Sequence, residues 1–249
     1  MKEKVFIKNN TGKNISAVIY YPNEIKQKLA ILCPGFLDSK DYDHIISLAK
    51  ILSENGYTAI SFDPTGTWES DGDIKDYSAT QYLNDIESVK KYMFSKNEYK
   101  IILIAGHSMG GRMSLAYASK HSDISAVVGI MSSPGVIEHK TETQINLREI
   151  PGKPLEKKEY KILPEFFIDE NRYYNTEKMK SIHVPVLFII GEKDTLAPLE
   201  KIKPLFDLAN EPKEFVIMQN MTHDYRYYKD EIDLVNEKII EFLKKQNLI

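Results

Sequence analysis

The chain has little of what marks exported, membrane-bound or nucleic-acid-binding proteins. Its 249 residues include a single cysteine, Cys33, which excludes an internal disulfide and fits a reducing compartment. No apolar run approaches the roughly 18 residues of a membrane-spanning helix, and residues 1–6 lack the apolar core of a signal peptide. The 33 basic and 36 acidic residues are interspersed, with a net charge of −3. We therefore expect a cytoplasmic protein with neither a membrane span nor a nucleic-acid partner.

What the sequence does contain is a series of short apolar runs. Hydrophobic residues make up 42% and charged residues 28%, which is typical of a globular domain with a large core. Most runs are continuously apolar rather than alternating, as in strands of a parallel sheet covered by helices on both faces. The first two runs flank a turn and predict a hairpin. The eight predicted strands are residues 4–8, 15–21, 29–33, 58–62, 101–105, 126–131, 186–190 and 215–218.

Amphipathic segments between these runs predict the helices of an α/β fold in a single domain that spans residues 1–249. Apolar residues recur at helical spacing in residues 45–52, 80–94 and 232–243.

Residues 132–182 interrupt this pattern. About fifty residues join the sixth and seventh predicted strands, where a short crossover would suffice. We interpret the segment as a cap or lid, and a structural insertion with its own small core is the alternative. The segment is rich in charge and contains the aromatic residues Phe166, Phe167, Tyr173 and Tyr174.

The sequence Gly-His-Ser-Met-Gly-Gly at residues 106–111 lies between a predicted strand and a predicted helix. A Gly-x-Ser-x-Gly turn in that setting is typical of a nucleophile elbow, which holds the serine on a sharp, strained turn. Gly106 and Gly110 permit the close approach of strand and helix that the turn requires. A strand–helix turn of a nucleotide-binding fold is the alternative, but the glycine-rich phosphate loop that it needs is not evident. Ser108 is therefore the candidate nucleophile.

A serine nucleophile needs a histidine to take its proton and a carboxylate to orient that histidine. After an elbow of this kind, the acid and then the histidine follow in chain order at the ends of later strands. Asp194 lies in the loop after the seventh predicted strand, and His223 follows the eighth. Glu192 in the same loop is an alternative acid, and we expect His107 to pack the elbow rather than to act as the base.

The oxyanion of an acyl-transfer intermediate needs two backbone N–H donors. The residue after the nucleophile, Met109, is expected to supply one, and the loop after the third strand the other. That loop begins Pro34-Gly35-Phe36, and Gly35 permits the turn that aims the Phe36 N–H at the site. A plain turn at Pro34-Gly35 is the alternative, but the position of the loop favours an oxyanion hole.

With these residues in view, the whole chain resembles the α/β-hydrolase-fold serine hydrolases. Among them it is most similar to the cinnamoyl- and feruloyl-esterase-like carboxylesterases. The sequence departs from the family pattern at Pro34, where a histidine usually stands, and at Trp68. The motifs that carry the resemblance are Pro34-Gly35-Phe36, Phe62-Asp63-Pro64-Thr65-Gly66, Glu69-Ser70-Asp71-Gly72, the elbow at residues 106–111, Gly191-Glu192-Lys193-Asp194 and His223.

The resemblance implies a mostly parallel eight-stranded sheet and hydrolysis of a small-molecule carboxylic ester through an acyl-enzyme, with no metal and no organic cofactor. We expect an aryl or medium acyl group to be preferred, because the four aromatic residues of the 132–182 segment could form an apolar wall over Ser108. A monoacylglycerol-type lipase or a thioesterase is the main alternative. An acyl-aminoacyl-type peptidase and a non-catalytic ligand-binding homologue are further alternatives, and a homodimer is compatible with the sequence.

Overall fold

The computed structural model describes residues 1–24, 26–132, 140–173 and 176–249. Ten strands are present in these ranges: β1 (Lys2–Lys8), β2 (Asn14–Tyr20), β3 (Lys28–Cys33), β4 (Thr58–Phe62), β5 (Ile101–His107), β6 (Ala126–Ile130), β7 (Gln144–Ile150), β8 (Lys153–Ile162), β9 (Val186–Gly191) and β10 (Lys213–Met218).

Eight of the strands form one sheet in the order β1-β2-β4-β3-β5-β6-β9-β10. The pairs β1–β2 and β2–β4 are antiparallel, and every other neighbouring pair in this sheet is parallel. Strands β4, β6 and β9 are buried along their whole length, which explains why their sequences contain no charged residue and are mainly apolar. The predicted eight-stranded, mostly parallel sheet is confirmed.

Helices cover both faces of this sheet. Helices α1 and α6 pack against each other on one face, while α2 and α3 lie on the other, as right-handed crossovers between parallel strands require. Ser78 caps the N-terminus of helix α2, because its hydroxyl accepts the Gln81 N–H at 3.0 Å. The helices are α1 (Asp43–Glu54), α2 (Ala79–Lys96), α3 (Met109–Ala118), α4 (Pro164–Asn171), α5 (Leu199–Leu208) and α6 (Lys229–Lys245).

None of the helices in the described ranges is both long enough and apolar enough to cross a lipid bilayer.

The segment between β6 and β9 contains structure that the sequence did not predict. Strands β7 and β8 form an antiparallel hairpin, and α4 follows it. The hairpin turns at Pro151-Gly152, where Gly152 has a φ of 74°. The Tyr160 hydroxyl accepts the Trp68 N–H at 2.9 Å, so the hairpin packs against the loop after β4. Residues 133–139 and 174–175, including the predicted wall residue Tyr174, lie outside the described residues.

Candidate active site

Ser108 lies on the sharp turn between β5 and α3, with a φ of 52° and a ψ of −120°. A side chain on either flanking glycine would collide with backbone: a Cβ on Gly106 would lie 2.4 Å from the Gly110 carbonyl carbon, and one on Gly110 would lie 2.0 Å from the Cys33 oxygen. The Ser108 N–H donates to the Ile130 oxygen at 2.8 Å. The two glycines and this bond therefore hold Ser108 in a left-handed conformation that a residue with a side chain rarely adopts.

His223 lies between Ser108 and Asp194. Its Nε2 is 2.9 Å from the Ser108 Oγ, and its Nδ1 is 2.8 Å from the Asp194 Oδ2. Because the Asp194 carboxylate only accepts hydrogen bonds when ionised, Nδ1 donates to it and Nε2 is left to accept the serine proton. The chain thus brings together three side chains that are far apart in sequence, and it does so at the carboxyl ends of β5, β9 and β10.

The surroundings of Asp194 keep its carboxyl group ionised. Burial by itself would raise the pKa of Asp194, but the hydrogen bond from His223 and those from two backbone N–H groups lower it below its ordinary value. These N–H groups, of Leu196 and Ala197, lie 2.8 and 2.7 Å from the Asp194 Oδ1. Glu192, the alternative acid, is exposed and instead accepts the Asn220 N–H at 2.8 Å.

The predicted oxyanion donors lie on two neighbouring segments. Met109 is the first residue of α3, so its N–H has no partner within the helix. Phe36 is the second residue of a turn closed by a 3.0 Å bond from the Asp38 N–H to the Gly35 oxygen. The Tyr77 hydroxyl links the two segments, because it accepts the Leu37 N–H and donates to the Met109 sulfur, both at 3.3 Å.

The predicted wall residues do not all lie together. The Phe166 ring is 5.2 Å from the rings of both Phe36 and Tyr77, and it meets Phe167 edge-on at 5.3 Å. The hydroxyl of Tyr173, by contrast, lies 2.7 Å from the Thr80 Oγ1 on α2. Phe166 therefore packs beside the candidate oxyanion residue, whereas Tyr173 ties its segment to α2.

The inserted segment of residues 132–182 (the insertion) also contacts the turn at residues 35–38 that carries Phe36 (the oxyanion turn). The contact is made by a charged residue that was not predicted from the sequence. Arg148 of β7 donates to the Phe36 oxygen at 3.2 Å, and its guanidinium lies 5.7 Å from the centre of the Phe36 ring. The Phe36–Leu37 peptide is thus held on both sides, by Arg148 at its oxygen and by Tyr77 at its N–H.

A buried polar cluster behind His223 was also missed by the sequence analysis. Arg226 forms an ion pair with the Asp38 Oδ1. The Asp38 Oδ2 lies 3.6 Å from the His107 Nδ1 and 3.8 Å from the His44 Nε2. Burial lowers the pKa of His107 to about 4 and that of His44 to about 3, so both rings are neutral at pH 7. No spacing or motif in the sequence indicates that Asp38 and Arg226, 188 residues apart, would meet.

The Asp38, His44 and His107 side chains place three potential metal-ligand atoms within 4.8 Å of one another. Their surroundings do not suit a divalent cation, because the other oxygen of the same carboxylate already binds the Arg226 guanidinium. A metal ion bound to Oδ2 would lie close to that positive charge, and Asp38 is the one anion of the three-residue group. The expectation that no metal takes part stays a prediction.

Comparisons with known proteins agree with this fold. A family model described as alpha/beta hydrolase fold matches residues 29–152. Proline iminopeptidase of Saccharolobus solfataricus is 29% identical over 221 residues, which cover 83% of this chain and 66% of that protein. Lysophosphatidylserine lipase ABHD12 of Danio rerio is 28% identical over 189 residues, which cover 72% of this chain and 46% of that protein. The chain thus spans about two thirds and about half of these two relatives.

Among solved structures, the chain is similar to Est1E from Butyrivibrio proteoclasticus with ferulic acid bound. The TM-score is 0.82 at 22% sequence identity, and the match covers 98% of this chain and 100% of that chain. Four observations point to the same fold: the sheet order, the strand–elbow–helix turn at Ser108, the family model and the likeness to Est1E. The chain therefore has the α/β-hydrolase fold.

Proposed function

We propose that this protein is a serine carboxylesterase that hydrolyses its substrate through an acyl-enzyme. One observation carries the proposal: the hydrogen-bonded line from Ser108 through His223 to Asp194, with separations of 2.9 and 2.8 Å. Such a line gives a serine the base and the orienting acid that it needs as a nucleophile.

In the proposed reaction, the Ser108 Oγ attacks the ester carbonyl while the His223 Nε2 takes its proton. Asp194 holds the ring with Nδ1–H toward the carboxylate and stabilises the imidazolium that forms. The backbone N–H groups of Phe36 and Met109 bind the oxyanion, and the N-terminus of α3 adds a favourable dipole. His223 then gives the proton to the departing alcohol. A water molecule attacks the acyl-enzyme by the same steps and releases the acid.

The substrate proposal is an ester with an aryl or medium-length acyl group. A cavity of about 180 Å³ lies between the core and the insertion, and it is lined mainly by apolar and aromatic side chains, among them Tyr77, Ile162 and Phe166. Tyr77 reaches from this cavity to Met109, the neighbour of Ser108. The solved Est1E structure, whose printed description has ferulic acid bound, is consistent with an aryl acyl group. We also propose that residues 132–182 act as a cap over this region.

Two of the relatives are described with other hydrolase activities, which are the alternatives to the proposed function. Danio rerio ABHD12 is described as a lysophosphatidylserine lipase, and the Saccharolobus solfataricus relative as a proline iminopeptidase. Rates that rise steadily with acyl chain length beyond about ten carbons would favour the lipase, and cleavage of aminoacyl amides would favour the peptidase. A small-molecule substrate, a cytoplasmic location and a homodimer remain parts of the same proposal.

The direct test replaces the nucleophile. Ser108→Ala is expected to stay folded and to lower kcat on p-nitrophenyl butyrate by at least about 10⁴-fold, because the three residues act as a unit. Ser114→Ala is the matched control, since it removes a buried hydroxyl from the same helix, where it donates to the Gly110 oxygen at 2.8 Å and, in the part of the chain that the structure describes, makes no hydrogen bond to His223 or Asp194. A purified Ser108→Ala protein that keeps a tenth of the wild-type rate would overturn the assignment.

A further inference from the structure

Three segments that carry the proposed catalytic groups meet at one buried carboxylate, that of Asp38. Asp38 is fully buried and closes the turn that begins at Gly35. Phe36, the proposed oxyanion donor, is the second residue of that turn. The position of the Asp38 side chain therefore bears directly on where the Phe36 N–H points.

The partner of this carboxylate comes from the segment that carries His223. Arg226 lies three residues after His223, in the short 3₁₀ helix Tyr225–Tyr227. Its guanidinium donates to the Asp38 Oδ1, and the Arg226 side chain is only 11% exposed. The ion pair thus connects the oxyanion turn to the segment of the proposed base.

His107 adds the third segment, because it directly precedes Ser108. Its ring centre lies 4.8 Å from that of His223, and its Nδ1 lies 3.6 Å from the Asp38 Oδ2. The ring therefore fills the space between the Asp38 carboxylate and the proposed base. A shift of Asp38 would change the packing against His223 as well as the position of the turn.

The turn is strained and needs support from its surroundings. Leu37 has a φ of 57°, in the left-handed region that disfavours a residue with a side chain. Strain of this kind persists only where the surrounding structure holds it. The Tyr77 hydroxyl holds the Leu37 N–H, and the ion pair holds the next residue, Asp38.

We propose that Asp38 and Arg226 are positioning residues for the reaction: their ion pair holds the Phe36 turn and the His223 segment at the separation that catalysis requires. Neither residue needs to touch the substrate. The proposal rests on the serine hydrolase function proposed above. The competing view is that the pair stabilises the fold and leaves the reaction unaffected.

The test compares Asp38→Asn, Arg226→Gln and the double variant with wild type. Asp85→Asn is the matched control, because it neutralises another carboxylate that is 0% exposed but whose hydrogen bonds to Thr65 involve neither the Phe36 turn nor the His223 segment. For each protein, kcat and KM on p-nitrophenyl butyrate are measured per active site, with sites counted by fluorophosphonate labelling. Thermal unfolding and circular dichroism report whether each variant folds.

Each single variant is expected to lower kcat by about 10- to 100-fold, the effect of displacing a reacting group by about 1 Å. KM should stay within about threefold, and the double variant should lose no more than the worse single variant, because the two residues act together. Asp85→Asn should keep kcat within about threefold of wild type, even if its unfolding temperature changes. Where Asp38→Asn or Arg226→Gln does not fold, Asp38→Glu and Arg226→Lys carry the same comparison.

Single variants that keep kcat per labelled site within about threefold of wild type would overturn the proposal, as would losses that multiply in the double variant. An Asp85→Asn control that loses as much kcat as the pair variants would overturn it too, because the loss of any buried carboxylate would then suffice. Crystal structures of wild type and Asp38→Asn give a readout that needs no substrate, and an unmoved Phe36 turn and His223 ring would contradict the proposal. A wild-type protein that neither hydrolyses esters nor reacts with the phosphonate would instead refute the proposed function.

Discussion

Ser108 combines backbone strain with a favourable hydrogen-bonding environment. Its φ of 52° and ψ of −120° place a side-chain-bearing residue in a sparsely populated region that costs about 1–3 kcal/mol. The close packing of α3 on β5 offsets that cost, because Gly106 and Gly110 let the two backbones meet with no side chain between them. As a result, the turn holds the Ser108 hydroxyl 2.9 Å from the His223 Nε2.

At the same scale, some residues could be placed from the sequence and others could not. Ser108, Asp194 and His223 each follow a predicted strand, and the ends of parallel strands meet at one edge of a sheet. Asp38 and Arg226 could not be paired in this way, because their contact depends on how two loops fold back toward each other. Loop paths follow from tertiary packing, which periodicity in the sequence does not report.

The acid gives the sharpest prediction about a single residue. Asp194→Asn is expected to lower kcat by about 10⁴-fold, because an amide in that position favours the wrong tautomer of His223. Glu192→Gln is the matched control from the same loop and should stay within about threefold of wild type, since Glu192 is exposed and accepts the Asn220 N–H rather than a hydrogen bond from His223. Steady-state rates of the two purified variants decide the matter. Greater damage in the Glu192 variant would mean that the acid is assigned wrongly.

At the scale of elements, the sheet and the position of the inserted segment were predictable, but the strands and helix within that segment were not. The buried strands are continuously apolar, so each one stands out from its neighbours in the sequence. Strand β7 alternates between half-buried and exposed residues, and β8 is rich in charge, so neither resembles a core strand. The Pro151-Gly152 pair between them is the one hairpin signal that this part of the sequence carries. Helix α5 was not predicted for a different reason. It contains an internal proline, Pro204, a residue that usually ends or kinks a helix.

The insertion carries a prediction about substrate choice. Phe166→Ala should lower kcat/KM for cinnamoyl and octanoyl esters about tenfold more than for acetyl esters, because the lost ring removes apolar contact from the proposed acyl cavity. Tyr173→Phe is the control, because it removes only the hydroxyl that bonds Thr80, and it should leave the order of preference unchanged. The comparison uses p-nitrophenyl acetate, butyrate and octanoate with a cinnamoyl ester. If all rates fall in proportion in Phe166→Ala, the ring is structural and the pocket proposal fails.

At the scale of the whole molecule, one buried acid outside the proposed site links stability to pH. Asp85 of α2 accepts the Thr65 N–H at 2.7 Å, and burial raises the pKa of its carboxyl group to about 6. The ionised form is therefore disfavoured in the folded state. The protonated Asp85 carboxyl group therefore stabilises the folded state. This contribution is full below about pH 4 and declines as the pH rises through about 6.

Asp85→Asn tests this link, because the amide has the same shape and does not ionise. Between pH 4.5 and 7.5 the free energy of unfolding of the variant should gain on that of wild type by about 2 kcal/mol, because roughly two pKa units correspond to about 3 kcal/mol in total and about 1 kcal/mol of that is lost below pH 4.5. Urea unfolding at three pH values in this range measures the difference. A difference that stays constant, or that moves toward wild type as the pH rises, would contradict the raised pKa.

The central claim, that this fold presents Ser108 as an activated nucleophile, is tested most directly by covalent labelling. The wild-type protein is incubated with a fluorophosphonate, and intact mass and peptide mapping then locate the adduct. One adduct per chain on Ser108 is predicted, formed at least about 100-fold more slowly in His223→Ala, because the base activates the hydroxyl. No adduct, or an adduct on another residue at a comparable rate, would contradict the account.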